Sequence, residues 1–131
     1  MENRPDFTKL RIWQIAHELA LEIYKISGKF PQEEKYGLIS QIRRAAVSVE
    51  SLIAEGHGRY HYADSIKFLI DARGSAYEVQ SQLLIAVDLK YCNKSLATSV
   101  VGKYTELVKQ VNSFINYKRN SKVGLTKNGN K

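Results

Sequence analysis

The sequence is short of the residues on which several specialised folds depend. It has one cysteine (Cys92), two prolines (Pro5 and Pro31) and one tryptophan (Trp13) among 131 residues. A single cysteine excludes an internal disulfide framework and a thiolate-cluster zinc site. No apolar run approaches the roughly 20 residues that a membrane-spanning helix needs. The N-terminal Met1-Glu2-Asn3-Arg4-Pro5-Asp6 lacks the apolar segment of a secretory signal. The expectation is a cytoplasmic protein without membrane contact. Scarce proline leaves long stretches open to helix, because proline lacks a backbone donor and clashes with the preceding turn. The remainder is 44% hydrophobic and 25% charged, which fits one globular domain and argues against wholesale disorder.

The net charge of +7 is unevenly placed. Residues 118–131 hold five basic side chains (Lys118, Arg119, Lys122, Lys127, Lys131) and no acid. Residues 1–117 therefore carry 15 basic and 13 acidic groups, a net +2. The last stretch offers only Val123 and Leu125 as sizeable apolar side chains, so a disordered, flexible tail is expected there. It reads as a solvated terminus, as a basic arm that attracts phosphate, or as a tail ordered within an oligomer.

Four apolar stripes recur at helical spacing. They are Ile12, Ala16, Leu19, Ile23 and Ile26; Ile39, Ile42, Ala46, Val49 and Ile53; Leu69, Ala72, Ala76, Val79, Leu83 and Ala86; and Ala97, Val101, Tyr104, Val108, Val111 and Ile115. Steps of three and four suit helices packed along a shared seam. The stripes predict helices over about 9–27, 34–56, 62–90 and 94–118. Thr8 or Asp6 would cap the first, Gly28 would end it, Glu33 and Glu34 would begin the second, and Asn93 would cap the fourth. Gly56 reads as a helix C-cap. Gly74 lies inside the third helix, where a tight helix crossing is expected. Short connections make sequential helices antiparallel neighbours. The predicted fold is all-α, an up-down-up-down four-helix bundle over residues 1–117.

The densest segment runs from Tyr36-Gly37-Leu38 through Gln41-Ile42-Arg43-Arg44-Ala45-Ala46 to Ile53-Ala54-Glu55-Gly56-His57-Gly58-Arg59. It resembles the signature of the four-helix-bundle proteins encoded in intervening sequences of large-subunit ribosomal RNA genes. Trp13-Gln14, Ile23-Tyr24, Phe30-Pro31, Phe68-Leu69 and Gly74-Ser75 with Glu78 extend the likeness across residues 7–117. Leu52 stands where that pattern carries asparagine. The resemblance implies a compact helical protomer, often a pentameric homo-oligomer. The chain is also similar to the accessory variability proteins of diversity-generating retroelements, which are basic, pentameric and associated with nucleic acid.

Arg43 and Arg44 project about 100° apart on one helix. Either can hold phosphate through its planar fork, or form an interhelical salt bridge to Glu50, Glu55 or Glu78. Arg59, Arg73, Lys118 and Arg119 complete the nucleic-acid candidates, with RNA and DNA equally open. Arg73 and Glu78 meet the same ambiguity. Trp13, Tyr24 and Tyr36 read as core or interface anchors, and Glu55 as a network or helix-end partner. Tyr60, His61 and Tyr62 beside Arg59 could stack bases or seal an interface. His57 and His61 lack a third metal ligand. No nucleophile–base arrangement surrounds Cys92, Ser48, Ser51 or Ser75. The expected function is a non-enzymatic, cofactor-free oligomer that associates with RNA or DNA. The alternative is a scaffold that recruits a protein partner.

Overall fold

The computed structural model describes the backbone of residues 3–59 and 62–128 and the side chains of residues 3–59 and 63–121. Among these residues there are four α-helices and no strand: α1 (Arg11–Ser27), α2 (Leu38–His57), α3 (Tyr62–Asp88) and α4 (Lys94–Asn128). Each packs on its neighbour in sequence, α2 against α3 most extensively, and α1 closes more loosely on α4. This is the expected four-helix bundle.

The core follows the stripes. All five stripe residues of α1 and all six of α3 are buried. Ile39 is only half-buried. On α4, Val100 and Leu107 are fully buried and were not part of the expected stripe. Val101 instead lies half-buried at the α3 side, where its carbonyl accepts from Gln80 Nε2 at 3.0 Å.

The helix ends depart from expectation in instructive ways. Neither Asp6 nor Thr8 caps α1; both sit in a 3-10 turn (Asp6–Lys9), and Leu10 is the N-cap without a side-chain bond. Thr8 Oγ1 donates to the Pro5 carbonyl at 2.7 Å, so its oxygen serves the turn. Glu33 and Glu34 likewise lie in a 3-10 turn (Gln32–Glu34), and α2 begins only at Leu38. Glu34 caps that helix from outside: its Oε1 accepts the Leu38 N–H at 3.1 Å and its Oε2 accepts the Tyr91 hydroxyl at 2.9 Å. A Cβ on Gly37 would come within 2.7 Å of Glu34 Oε1, so glycine makes room for this carboxylate. The bond to Glu34 also raises the Tyr91 pKa, with burial and the Glu34 and Glu33 charges adding to it.

α3 ends in a Schellman turn. Tyr91 N–H donates to Ala86 O at 2.8 Å and Lys90 N–H to Val87 O at 2.9 Å, with Lys90 left-handed at φ 66°. Asn93 caps α4 as expected, its Oδ1 accepting the Leu96 N–H at 3.1 Å. The boundary expected near residue 118 is not a helix end, since α4 continues to Asn128. No proline follows Pro31, and one internal glycine costs a helix only about 1 kcal/mol.

Neither of two glycines takes the role expected of it. Gly56 is no cap; it is buried inside the last turn of α2, and a Cβ there would lie 3.0 Å from Phe68 Cβ on α3. Gly74 marks no crossing within this chain, because a Cβ there would meet nothing within 4 Å. The close approach of α2 and α3 is at Gly56.

Candidate nucleic-acid interface

Adjacent positions on α2 send Arg43 and Arg44 to different tasks. Arg43 is half-buried and reaches the C-terminal end of α1. Its Nε donates to Ser27 Oγ at 2.8 Å, its Nη2 donates to the Tyr24 carbonyl at 3.1 Å, and the guanidinium lies 4.6 Å from the Tyr24 ring centroid. A cation at a helix C-terminus meets unpaired carbonyls and the negative dipole end. Arg43 therefore ties α1 to α2, and Tyr24 is the platform beneath it. The expected alternative for Arg43, a carboxylate partner, is not what it finds. Glu50 instead accepts from His17 Nδ1 at 2.9 Å, and His17 stacks on Trp13 at 4.7 Å.

Arg44 is exposed and has no hydrogen bond or ion pair with any described residue. It lines a cleft of about 430 Å³ between α2 and α3 together with Tyr36, Ser40, Gln41, Ser48, Ser75, Glu78 and Gln82. Tyr36 is 88% exposed, with Lys35 Nζ 5.5 Å from its ring centroid. Tyr36 is thus no core anchor. Glu78 is exposed on the α3 lip and is likewise unpaired among the described residues. Ser48 and Ser75 hydroxyls bond across the floor at 3.0 Å. Gln82 Oε1 is buried without a protein partner.

The other candidates divide between committed and open. Arg73 is half-buried and its Nη1 donates to Asn112 Oδ1 at 2.8 Å, joining α3 to α4. Arg59 pairs with Glu55 at 3.3 Å and lies 4.6 Å from the Phe68 ring centroid, so Glu55 is a helix-end partner. Both side chains of that pair are exposed, and such a pair holds arginine only weakly. Lys118 lies over Phe114, and burial lowers its pKa. Arg119 is exposed. The cluster expected at Tyr60, His61 and Tyr62 lies outside the described side chains. Of the expected site residues, the structure brings Arg44, Tyr36 and Glu78 to one cleft and leaves Arg43, Arg59 and Arg73 elsewhere.

The polar liners Ser40, Gln41, Ser48 and Gln82 were not among the expected site residues. Their signal was legible: positions 40, 44 and 48 on α2, and 75, 78 and 82 on α3, step by threes and fours as polar stripes. A search for apolar stripes passes over it.

Among the described residues, no group of three or more His, Cys, Asp or Glu could hold a metal ion. Cys92 lies in an apolar groove of about 350 Å³ with Ile26, Tyr91 and Leu96, and burial pushes its thiol pKa up, away from the reactive thiolate. No helix among the described residues is long and apolar enough to cross a membrane.

Residues 8–113 match the family of 23S rRNA-intervening sequence proteins, and the chain belongs to that family. No curated protein matches the chain. The fold is shared with a protein of unknown function from the S23 ribosomal protein family of Bacteroides thetaiotaomicron, known from its crystal structure. The TM-score is 0.71 and the identity 24%, over 79% of this chain and 97% of that one.

Proposed function

We propose that this member of the 23S rRNA-intervening sequence family is a non-enzymatic, self-associating bundle that holds single-stranded nucleic acid at the α2–α3 cleft. The observation that carries the reading is an exposed, unpaired Arg44 beside an exposed Tyr36 ring. Arginine offers two parallel donors to a phosphate, and an exposed ring stacks on an unpaired base. Ser40 and Gln41 add neutral donors on the same lip. Glu78 repels phosphate, so the strand's backbone runs along α2 and leaves that carboxylate to accept from a base amine. Resemblance to nucleic-acid-associated accessory variability proteins points the same way. It also implies five copies, each repeating the site.

Fluorescence anisotropy with labelled single-stranded RNA and DNA at about 50 mM salt tests this, since phosphate contacts are strong there. Tyr36→Ala should weaken binding about 5- to 100-fold, the range for one lost stacking contact. Arg44→Gln should weaken binding and reduce the salt slope by about 0.7, one phosphate on a single strand. Absence of binding by the wild-type chain, or binding unchanged in both variants, refutes the reading.

The second reading, a scaffold for a protein partner, is favoured by the apolar groove between Ile26 and Leu96. A co-purifying protein that survives nuclease treatment would support it.

A further inference from the structure

The α2–α3 cleft holds two opposite charges that do not meet. The Ser48–Ser75 hydroxyl bond at 3.0 Å sets the register of the two antiparallel helices. About one turn back along α2 is Arg44, and about one turn on along α3 is Glu78, so the two stand on opposite lips. Neither forms an ion pair with any described residue. A further turn on α3 brings Gln82 opposite Ser40 and Gln41. Gln82 makes no hydrogen bond to a described residue, and its Oε1 is buried without a protein partner. A buried amide oxygen left unpaired is costly, and nothing within the chain accounts for it. The α3 lip therefore offers a carboxylate and an uncommitted amide as neighbours, four residues apart on one helix face.

We propose that this lip selects guanine among the bases of a bound single strand, with Glu78 and Gln82 as the specificity-determining residues. The inference rests on the single-strand reading of the cleft given above. An ionised carboxylate only accepts, through two oxygens held side by side. The Watson–Crick edge of guanine is the one base edge with two adjacent donors, N1–H and the N2 amine. Adenine and cytosine set a ring-nitrogen acceptor beside their amine, and uracil flanks one N–H with two carbonyls. Against Glu78 each of these turns a lone pair toward a carboxylate oxygen. Guanine O6, next along the same edge, accepts from Gln82 Nε2. With its phosphate on Arg44 and its ring against Tyr36, a guanosine spans the cleft from α2 to α3. The cleft volume of about 430 Å³ lies within the range of small-ligand clefts.

Anisotropy on the full chain tests this at about 50 mM salt, with short oligouridine strands carrying one guanosine, inosine, adenosine or cytidine at the centre. The guanosine strand should bind about 5- to 150-fold tighter than the adenosine strand, the range for one bidentate base contact. Inosine, which lacks the N2 amine, should fall between them. Glu78→Gln should abolish the guanosine preference and strengthen binding of the adenosine strand, whose N1 and N6 amine match an amide. Gln82→Leu should reduce the preference and keep its order. Circular dichroism checks that both variants keep their helicity. Equal binding of the guanosine and inosine strands, or a guanosine preference that survives Glu78→Gln, overturns the proposal. So does a Glu78→Gln variant that binds all four strands more tightly by the same factor, since the carboxylate then only repels phosphate. Strands bound without a guanosine preference sink the base assignment alone, whereas no strand bound sinks the single-strand reading with it.

Discussion

The division of labour between Arg43 and Arg44 can be measured directly. Arg43→Gln removes two charge-assisted hydrogen bonds, to Ser27 Oγ and the Tyr24 carbonyl, and the stacking on Tyr24. A bond to a charged group contributes about 1.5–3 kcal/mol and an exposed cation–π contact about 0.5–1. The full sum is too large, because the Tyr24 carbonyl keeps the Gly28 N–H at 3.1 Å and Tyr24 is itself 43% exposed. A loss of about 2–3 kcal/mol remains. At about 3–4 °C per kcal/mol for a domain of this size, the midpoint should fall by about 6–12 °C. Arg44→Gln breaks no bond among the described residues and should move stability by less than about 0.5 kcal/mol. Thermal melts by circular dichroism and urea titrations at pH 7 read both variants. Equal losses for the two arginines, or a loss under about 0.5 kcal/mol for Arg43→Gln, would refute the assignment of Arg43 to the α1 terminus.

Three further outcomes test the packing. Gly56→Ala places a methyl 3.0 Å from Phe68 Cβ, so urea unfolding should show a loss of about 1–3 kcal/mol. Lys90→Gly relieves a left-handed lysine at φ 66° and should add about 1 kcal/mol, read as a higher midpoint. Tyr104 is fully buried with no protein partner for its hydroxyl, and Tyr104→Phe should stabilise by about 1 kcal/mol at pH 7. Burial, with the Glu22 and Glu50 charges, also raises the Tyr104 pKa above its ordinary 10.0. The folded state therefore keeps a proton that the unfolded chain loses, so stability is full below pH 10 and falls above it. Phenylalanine at this position should flatten that alkaline decline in urea titrations run from pH 8 to 11.

The bundle was legible because burial leaves a periodic trace. Stripes at threes and fours on four proline-free stretches have one economical packing, and all of their residues but Ile39 and Val101 are buried, with Val100 and Leu107 added on α4. Helix ends were less legible where a distant group does the capping. Glu34 serves α2 from outside the helix and is also bonded to Tyr91, 57 residues further on. The extension of α4 was hidden because composition weighs burial, while a helix already nucleated propagates through polar residues.

The sequence by itself determined the helices, the apolar face of each and a nearly neutral bundle with a basic end, because these depend on local chemistry and spacing. It could not decide between two adjacent arginines of the same chemistry. Only the tertiary structure did, since about 100° of helical rotation carries Arg43 to the end of α1 and leaves Arg44 in a cleft. The same holds for the glycines. Gly56 touches α3 and Gly74 faces open space, a difference set by the neighbours of each and not by its own residue type.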